Sequence, residues 1–346
     1  MIITKTPFRI SFFGGGTDYP DWYKQHGGAV LATSIDKYCY ISCRKLPPFF
    51  DHKHRIVYSK IENVKSCAEI VHPAVRGVFE WLDVEDGLEV HHDGDLPARS
   101  GLGSSSSFTV GLIHAIKALR GRSVAKEELA RNAIHVEQSV IGENVGSQDQ
   151  VTTAYGGFNR VDFHRSGEIV VAPVVFPNER RAALNDHLLL FFTGVTRVAS
   201  EIAENQIKNL DSRRSELDAM RAMVDEGMSI LGADGTDLDA FGRLLHEGWS
   251  LKRRLSDKVS TPQIDAYYEA AREAGALGGK LLGAGGGGFL LVFAPRNIIS
   301  AFARNCPNSF MSRFGSRARE AVSRCTSQKD CERHGHGIAP ERRVNP

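Results

Sequence analysis

Residues 96–108 read LPARSGLGSSSSF, and their types could do chemistry directly. Glycines let a backbone approach an anion closely, and a serine run at a helix start offers N–H groups and hydroxyls where the helix dipole favours negative charge. Such a segment can cradle a nucleotide phosphate. It carries no Lys, and GxxxxGK[ST] occurs nowhere in the chain, so it is not a P-loop. A flexible Gly/Ser linker is the bland alternative, but a linker would not lead straight into an amphipathic helix. Gly283 to Gly288, GAGGGG, formally match GxGxxG, yet FLLVF follows as a strand where a dinucleotide fingerprint needs a helix. The run reads instead as a tight turn between strands, packed against the phosphate cradle or the substrate. A third constellation is Glu137 on a helix followed by GENVGSQDQ, with Asp149 in a Gly/Ser-rich turn. Phosphoryl transfer uses one carboxylate to hold a metal ion and another to orient the nucleophile or take its proton. Glu137 and Asp149 could divide those duties, although a Glu on a helix and an Asp in a loop are also what a solvated surface carries.

Elements must bring these motifs together. The first sixty or so residues alternate apolar and polar positions with β-branched and aromatic enrichment, a run of strands broken by Gly and Pro. A strand in LEVHHDGDLP precedes the serine loop, and two helices are expected after it, at about 108–119 and 124–141. The first buries Phe108, Leu112, Ile116 and Leu119 on one face. After the loop VFPNERRAALND comes a buried strand at 187–194, then helices near 200–210, 215–231, 237–251 and 262–274, then strand, glycine turn and strand. Strict βαβα alternation is missing, so the class is α+β rather than doubly wound.

The chain has 346 residues and a formal charge of +2, which gives no global drive toward nucleic acid or an anionic membrane. The opening MIITKTPFRISFF lacks the roughly 7–15 residue apolar stretch of a secretory signal, and no run of about 18 apolar residues occurs, so a cytoplasmic protein is expected. Cys39, Cys43, Cys67, Cys306, Cys325 and Cys331 form no CxxC pair and read as buried or incidental thiols. The oligomeric state is open. Residues 1–180 and 181–307 are expected as two domains. The tail 308–346 carries eight Lys/Arg against four Asp/Glu, shows no convincing strand, and is expected to be disordered or displaced in reading frame.

The three motifs in this order resemble the GHMP kinases (galactokinase, homoserine kinase, mevalonate kinase, phosphomevalonate kinase). TPFRISFFGGGTDY is similar to that family's first motif, Pro97 to Ser106 to its Pro-x3-GLGSSS, and KLLGAGGGGF to its glycine turn. The resemblance implies two α+β domains with the active site between them, and ATP and Mg²⁺ as donor and metal. It implies that Pro97, Ser100, Gly101, Leu102, Gly103, Ser104, Ser105 and Ser106 bind ATP. Asp149 would be the catalytic base beside the basic Arg9, and Ser105 and Glu137 the metal ligands. Asp18, with Gly15, Gly16, Thr17, Gly285 and Gly286, would face the substrate. Where galactokinases carry Glu-His before Thr-Asp-Tyr, this chain has Gly15 and Gly16, which removes a carboxylate and suits an acceptor that already bears a phosphate. His52, Lys53 and Arg55 offer donors for that phosphate, or form a solvated basic turn. The long stretches around these motifs look most like the branch that transfers the ATP γ-phosphate to O1 of a heptose 7-phosphate for surface polysaccharide. A kinase for fucose or galactose, or a non-catalytic sensor of ATP and sugar, are the alternatives. The family closes its second domain with a late strand, and FMSRFGS read in a shifted frame gives His-Val-Pro-Phe-Arg-Phe, which resembles it.

Overall fold

A computed structural model describes residues 1–195, 199–233, 237–299, 309–310 and 322–325. The alternating opening forms strand β1 (Ile2–Phe13), and after helix α1 (Pro20–His26) the chain returns as β2 (Gly28–Lys45). The two are antiparallel, from Ile2 opposite Cys43 to Phe13 opposite Leu31, and the register slips between Pro7 and Arg9. A bulge of that kind re-aims a side chain, and here the residue at the slip is Arg9. Next come β3 (His54–Val57), β4 (Ile61–Val64), α2 (Pro73–Trp81) and β5 (Leu88–Gly94). Helices α3 (Ser104–Leu119), α4 (Lys126–His135) and α5 (Gln148–Tyr155) follow, then β6 (Phe158–Phe163) and β7 (Ile169–Pro173). Gly111 lets α3 lie close on β1 and β2, since a Cβ there would stand 2.9 Å from Thr6 Oγ1.

The rest of the chain supplies α6 (Asn178–Asp186), β8 (Leu188–Phe192), α7 (Ala199–Asn209), α8 (Arg214–Gly232), α9 (Asp239–Arg254), α10 (Pro262–Glu273), β9 (Gly278–Leu281), β10 (Phe289–Phe293), β11 (Ser309–Phe310) and β12 (Val322–Cys325). Helix α10 starts where Pro262 follows the N-cap Thr261, whose hydroxyl accepts from Ile264 N–H at 3.3 Å. One sheet has the order β12-β1-β2-β5-β3-β4, with β6 on the first half of β2 and β7 on β6. The other has the order β11-β8-β10-β9. Phe12 and Phe13 of β1 meet Phe241 of α9 edge-on, with ring centroids 5.3 and 5.0 Å apart, which joins the two sheets in one core. Among the described residues no helix is long and apolar enough to cross a membrane.

Four differences from expectation bear on the site. The first expected helix starts at Ser104 rather than near 108, so the serine run is its first turn. The second ends at His135 and passes into a π-helical turn, Val136–Val140, that carries Glu137. Asp149 lies in the first turn of α5 and not in a loop, because Gln148–Tyr155 close a short helix behind Ser147. The expected loop VFPNERRAALND contains α6, which begins directly after Pro177. In the tail, the expectation of no strand is corrected at two places, where the backbone of β11 pairs β8 and that of β12 pairs β1. The other tail positions, and with them most of the expectation of disorder, lie outside the described residues.

Candidate active site

Two glycines shape the serine loop. Gly101 (φ 80°) and Gly103 (φ 73°) hold a backbone that disfavours any side chain, and α3 then starts at Ser104 with no side-chain cap. Its first-turn amides are left for a ligand. The distant glycine motif supports the loop from beneath. A Cβ on Gly101 would stand 2.5 Å from the Leu282 carbonyl oxygen, one on Gly283 2.7 Å from Gly101 Cα, and one on Gly288 2.3 Å from the Ser100 carbonyl oxygen. Phe289 N–H donates to the Ser100 carbonyl at 3.0 Å. The expected packing of turn against cradle is therefore present, backbone on backbone. Arg99, Gly101, Gly103 and Ser104 to Ser106 line a cleft of about 240 Å³, together with Gly283, Gly285 and Gly287.

Arg9 crosses the floor of this cleft, 3% exposed. Its Nε donates to Asp149 Oδ1 at 2.6 Å and its Nη2 to Oδ2 at 2.5 Å, while Nη1 donates to the Gly101 carbonyl at 2.6 Å. This fork ties β1, the cradle and α5 to one another. Asp149 keeps 27% of its side chain exposed and lines the cleft, so its carboxylate is fixed in direction yet reachable. Beside it Asp18 is buried, accepting from Gly16 N–H (2.9 Å), Gln148 Nε2 (3.1 Å) and Gln148 N–H (3.2 Å). Burial, followed by the Asp149 charge, raises the Asp18 carboxyl above its ordinary range, and the two N–H donors pull it back. Only glycine fits at 146, where a Cβ would lie 1.9 Å from Asp18 Oδ2.

Glu137 is buried behind the serine turn. Its Oε2 accepts from Ser106 Oγ at 2.9 Å and Gln150 Nε2 at 2.5 Å, while Oε1 has no hydrogen-bond partner. Burial, with the nearby Glu143 adding to it, pushes this carboxyl up to about 7. A carboxylate oxygen without a donor, beside a second acidic group at the edge of a phosphate cradle, fits a divalent cation. Ser105, expected beside it, lines the cleft, but the hydroxyl on Glu137 belongs to Ser106.

Several expected residues stand elsewhere. Thr17 turns inward, its hydroxyl 2.8 Å from the Gly14 carbonyl and accepting from Ala29 N–H at 3.1 Å, so it shapes the turn behind Gly15 and Gly16, which do line the cleft. Leu102 is core, Pro97 is exposed, and Ser100 contributes its carbonyl to the seam. Gly286 donates its N–H to the Val259 carbonyl and lies off the cleft surface. The expectation for His52, Lys53 and Arg55 is corrected: β3 is separated from β1 by β2 and β5, Arg55 Nε faces Glu89 at 3.8 Å, and none of the three lines the cleft. Conversely, the cleft is lined by Tyr19, Glu143, Gln148 and Lys280, which lie within the quoted motifs but were given no role there, and by Gln206 and Lys252, which lie outside them.

The GHMP kinases N terminal domain matches residues 63–157, and the GHMP kinases C terminal domain matches residues 229–310. A mevalonate kinase of Pyrococcus horikoshii is 30% identical over 245 residues, 69% of this chain and 68% of that protein. The chain belongs to the GHMP kinase family. It is a phosphotransferase with the mixed α/β, two-domain fold of that family. The D-glycero-alpha-D-manno-heptose 7-phosphate kinase of Campylobacter jejuni is 29% identical over 302 residues, 84% of this chain and 89% of that protein. Among solved structures, a D-glycero-D-manno-heptose 1-phosphate kinase from Bacteriodes thetaiotaomicron superposes with a TM-score of 0.77 at 21% identity, over 95% of this chain and all of that one, and supports the fold.

Proposed function

We propose that the chain is an ATP-dependent sugar kinase that transfers the γ-phosphoryl group to the anomeric O1 of D-glycero-D-manno-heptose 7-phosphate, giving the 1,7-bisphosphate for surface polysaccharide in the cytoplasm. The observation that carries this reading is one cleft holding both the uncapped serine turn of α3 and the Arg9-clamped Asp149. Residues 1–180 supply most of this machinery and residues 181–307 the glycine seam beneath it.

The first-turn amides of α3 bind the donor phosphates by hydrogen bonds and by the helix dipole. Glu137, with the Ser105 and Ser106 hydroxyls, would hold Mg²⁺, which when bound neutralises phosphate charge. Asp18, held rigid by Gly16 and Gln148, accepts from a sugar hydroxyl and orients the ring. Asp149 orients O1–H and takes its proton as the O1–P bond forms and the bond to the ADP oxygen breaks. Arg9 keeps that carboxylate pointing into the cleft. Gly15 and Gly16 leave the acceptor site free of an added carboxylate, in keeping with a phosphorylated acceptor, and the Campylobacter jejuni relative points the same way.

A coupled ADP-release assay over free and phosphorylated heptoses and hexoses tests the substrate. Preference for heptose 7-phosphate is expected, and preference for an unphosphorylated fucose or galactose would refute the assignment.

A further inference from the structure

Arg9, Asp18, Glu137 and Asp149 leave two buried cations of the cleft without a duty. Lys252 of α9 and Lys280 of β9 are 7% and 5% exposed, and both line the cleft. Each ammonium carries three N–H donors. Lys252 Nζ donates to the Leu281 carbonyl at 3.3 Å and to the Gly283 carbonyl, and Lys280 Nζ to the Phe12 carbonyl at 2.8 Å. Donors are left over on both, where an unused charge is costly to keep out of water.

The charged groups facing Lys252 are Arg9 from β1, Asp18 from the turn after it, Asp149 from α5 and Lys280 from β9. Arg9 and Asp149 neutralise each other through two hydrogen bonds. Lys252 and Lys280 then stand against Asp18, whose carboxylate is already held by Gly16 and Gln148. The cations are crowded there, and an arriving anion relieves that crowding. Lys252 also donates to Gly283, the residue stacked on Gly101 of the cradle. It thus lies at the seam beneath the phosphate-binding turn, shares the cleft with Asp149 and interacts with its charge.

We propose that Lys252 is a catalytic residue that contacts the phosphoryl group as it passes from the cradle to the acceptor oxygen at Asp149. The proposal rests on the kinase reading of the same cleft. Lys252 makes and breaks no covalent bond; it donates N–H groups to oxygens whose charge is redistributed during transfer. Burial first, and then Arg9, lower the Lys252 ammonium to about 8, against the opposing pull of Asp18 and Asp149. The charged form is present below that pH and lost above it, so kcat/KM falls as pH rises through about 8. Burial first, and then Lys252 and Arg9, push the Lys280 ammonium well below its ordinary range.

The test is the ADP-release assay with Mg-ATP and heptose 7-phosphate, run on the full chain and K252M between about pH 6.5 and 9.5. For K252M the expected result is a kcat lower by ~10²–10³-fold, with both KM values within about threefold of the parent and no alkaline limb. A kcat within about fivefold of the parent, or a change confined to the acceptor KM, would overturn the proposal. Melting curves and nucleotide titration show whether K252M is folded. Where it is not, the parent decides: a flat parent profile would overturn it too. A parent chain inactive on heptose 7-phosphate would sink the substrate reading alone, and the comparison then runs on whichever sugar turns over, or on basal ATP hydrolysis.

Discussion

Replacing Gly101 by Ala puts a methyl group into the seam between the two glycine motifs. At that position φ is 80° and the new Cβ would stand 2.5 Å from the Leu282 carbonyl oxygen. Gly121 is the matched control, with φ 74° and nothing within 4 Å of its Cβ. The left-handed backbone costs either alanine roughly 1–2 kcal/mol. Only Gly101→Ala adds a collision. Carbon and carbonyl oxygen settle at about 3.3–3.6 Å, so the seam must open by roughly 0.8 Å, and overpacking of this kind costs about 1–3 kcal/mol more. With an unfolding entropy of about 2.1 cal/mol/K per residue, a chain of 346 residues loses about 1.4 °C of Tm per kcal/mol. Gly121→Ala should then melt ~1.5–3 °C lower than the parent, and Gly101→Ala ~3–7 °C lower. Because the cradle amides move with the seam, Gly101→Ala should also bind ATP at least ~10-fold more weakly, while Gly121→Ala binds it as the parent does. Calorimetry and nucleotide titration read both effects. If the two variants melt alike and bind ATP alike, the backbone seam does not support the cradle.

Asp149→Asn should leave nucleotide affinity within about twofold of the parent while kcat falls by at least ~100-fold, because the proton acceptor is lost and the phosphate site is not; near-normal turnover would place the base elsewhere. Glu137→Gln keeps a side chain of the same shape on Ser106 and Gln150 but removes the charge, so the Mg²⁺ concentration for half-maximal velocity should rise at least ~10-fold. An unchanged magnesium dependence would take Glu137 out of the metal site.

The glycine-serine turn was legible because Gly and Ser act locally, through backbone freedom and exposed amides, although the helix it opens starts at Ser104 and not near 108. Asp149 and Arg9 could be paired only through the resemblance, since nothing in either segment shows that a bulge in β1 aims at α5. Helix phase separated Ser106 from Ser105: with Ser104 as the first helical residue, it is Ser106 whose hydroxyl meets Glu137. Lys252, within LKRRL at the end of a helix, looks like a solvated face, and its burial depends on α9 packing against β9. Lys280 did leave a signal, being one charge in the wholly buried strand GGKL. The basic turn around His52 misled because a charge cluster carries no address; the distance between β3 and β1 across the sheet is a matter of topology.

The proposed transfer, from helix amides to a hydroxyl steered by Asp149, is tested directly by phosphorus NMR of the purified chain with Mg-ATP and D-glycero-D-manno-heptose 7-phosphate. One new phosphate on the anomeric carbon for each ADP formed is the expected result. ADP without a phosphorylated sugar, or no ADP with any sugar offered, would contradict it.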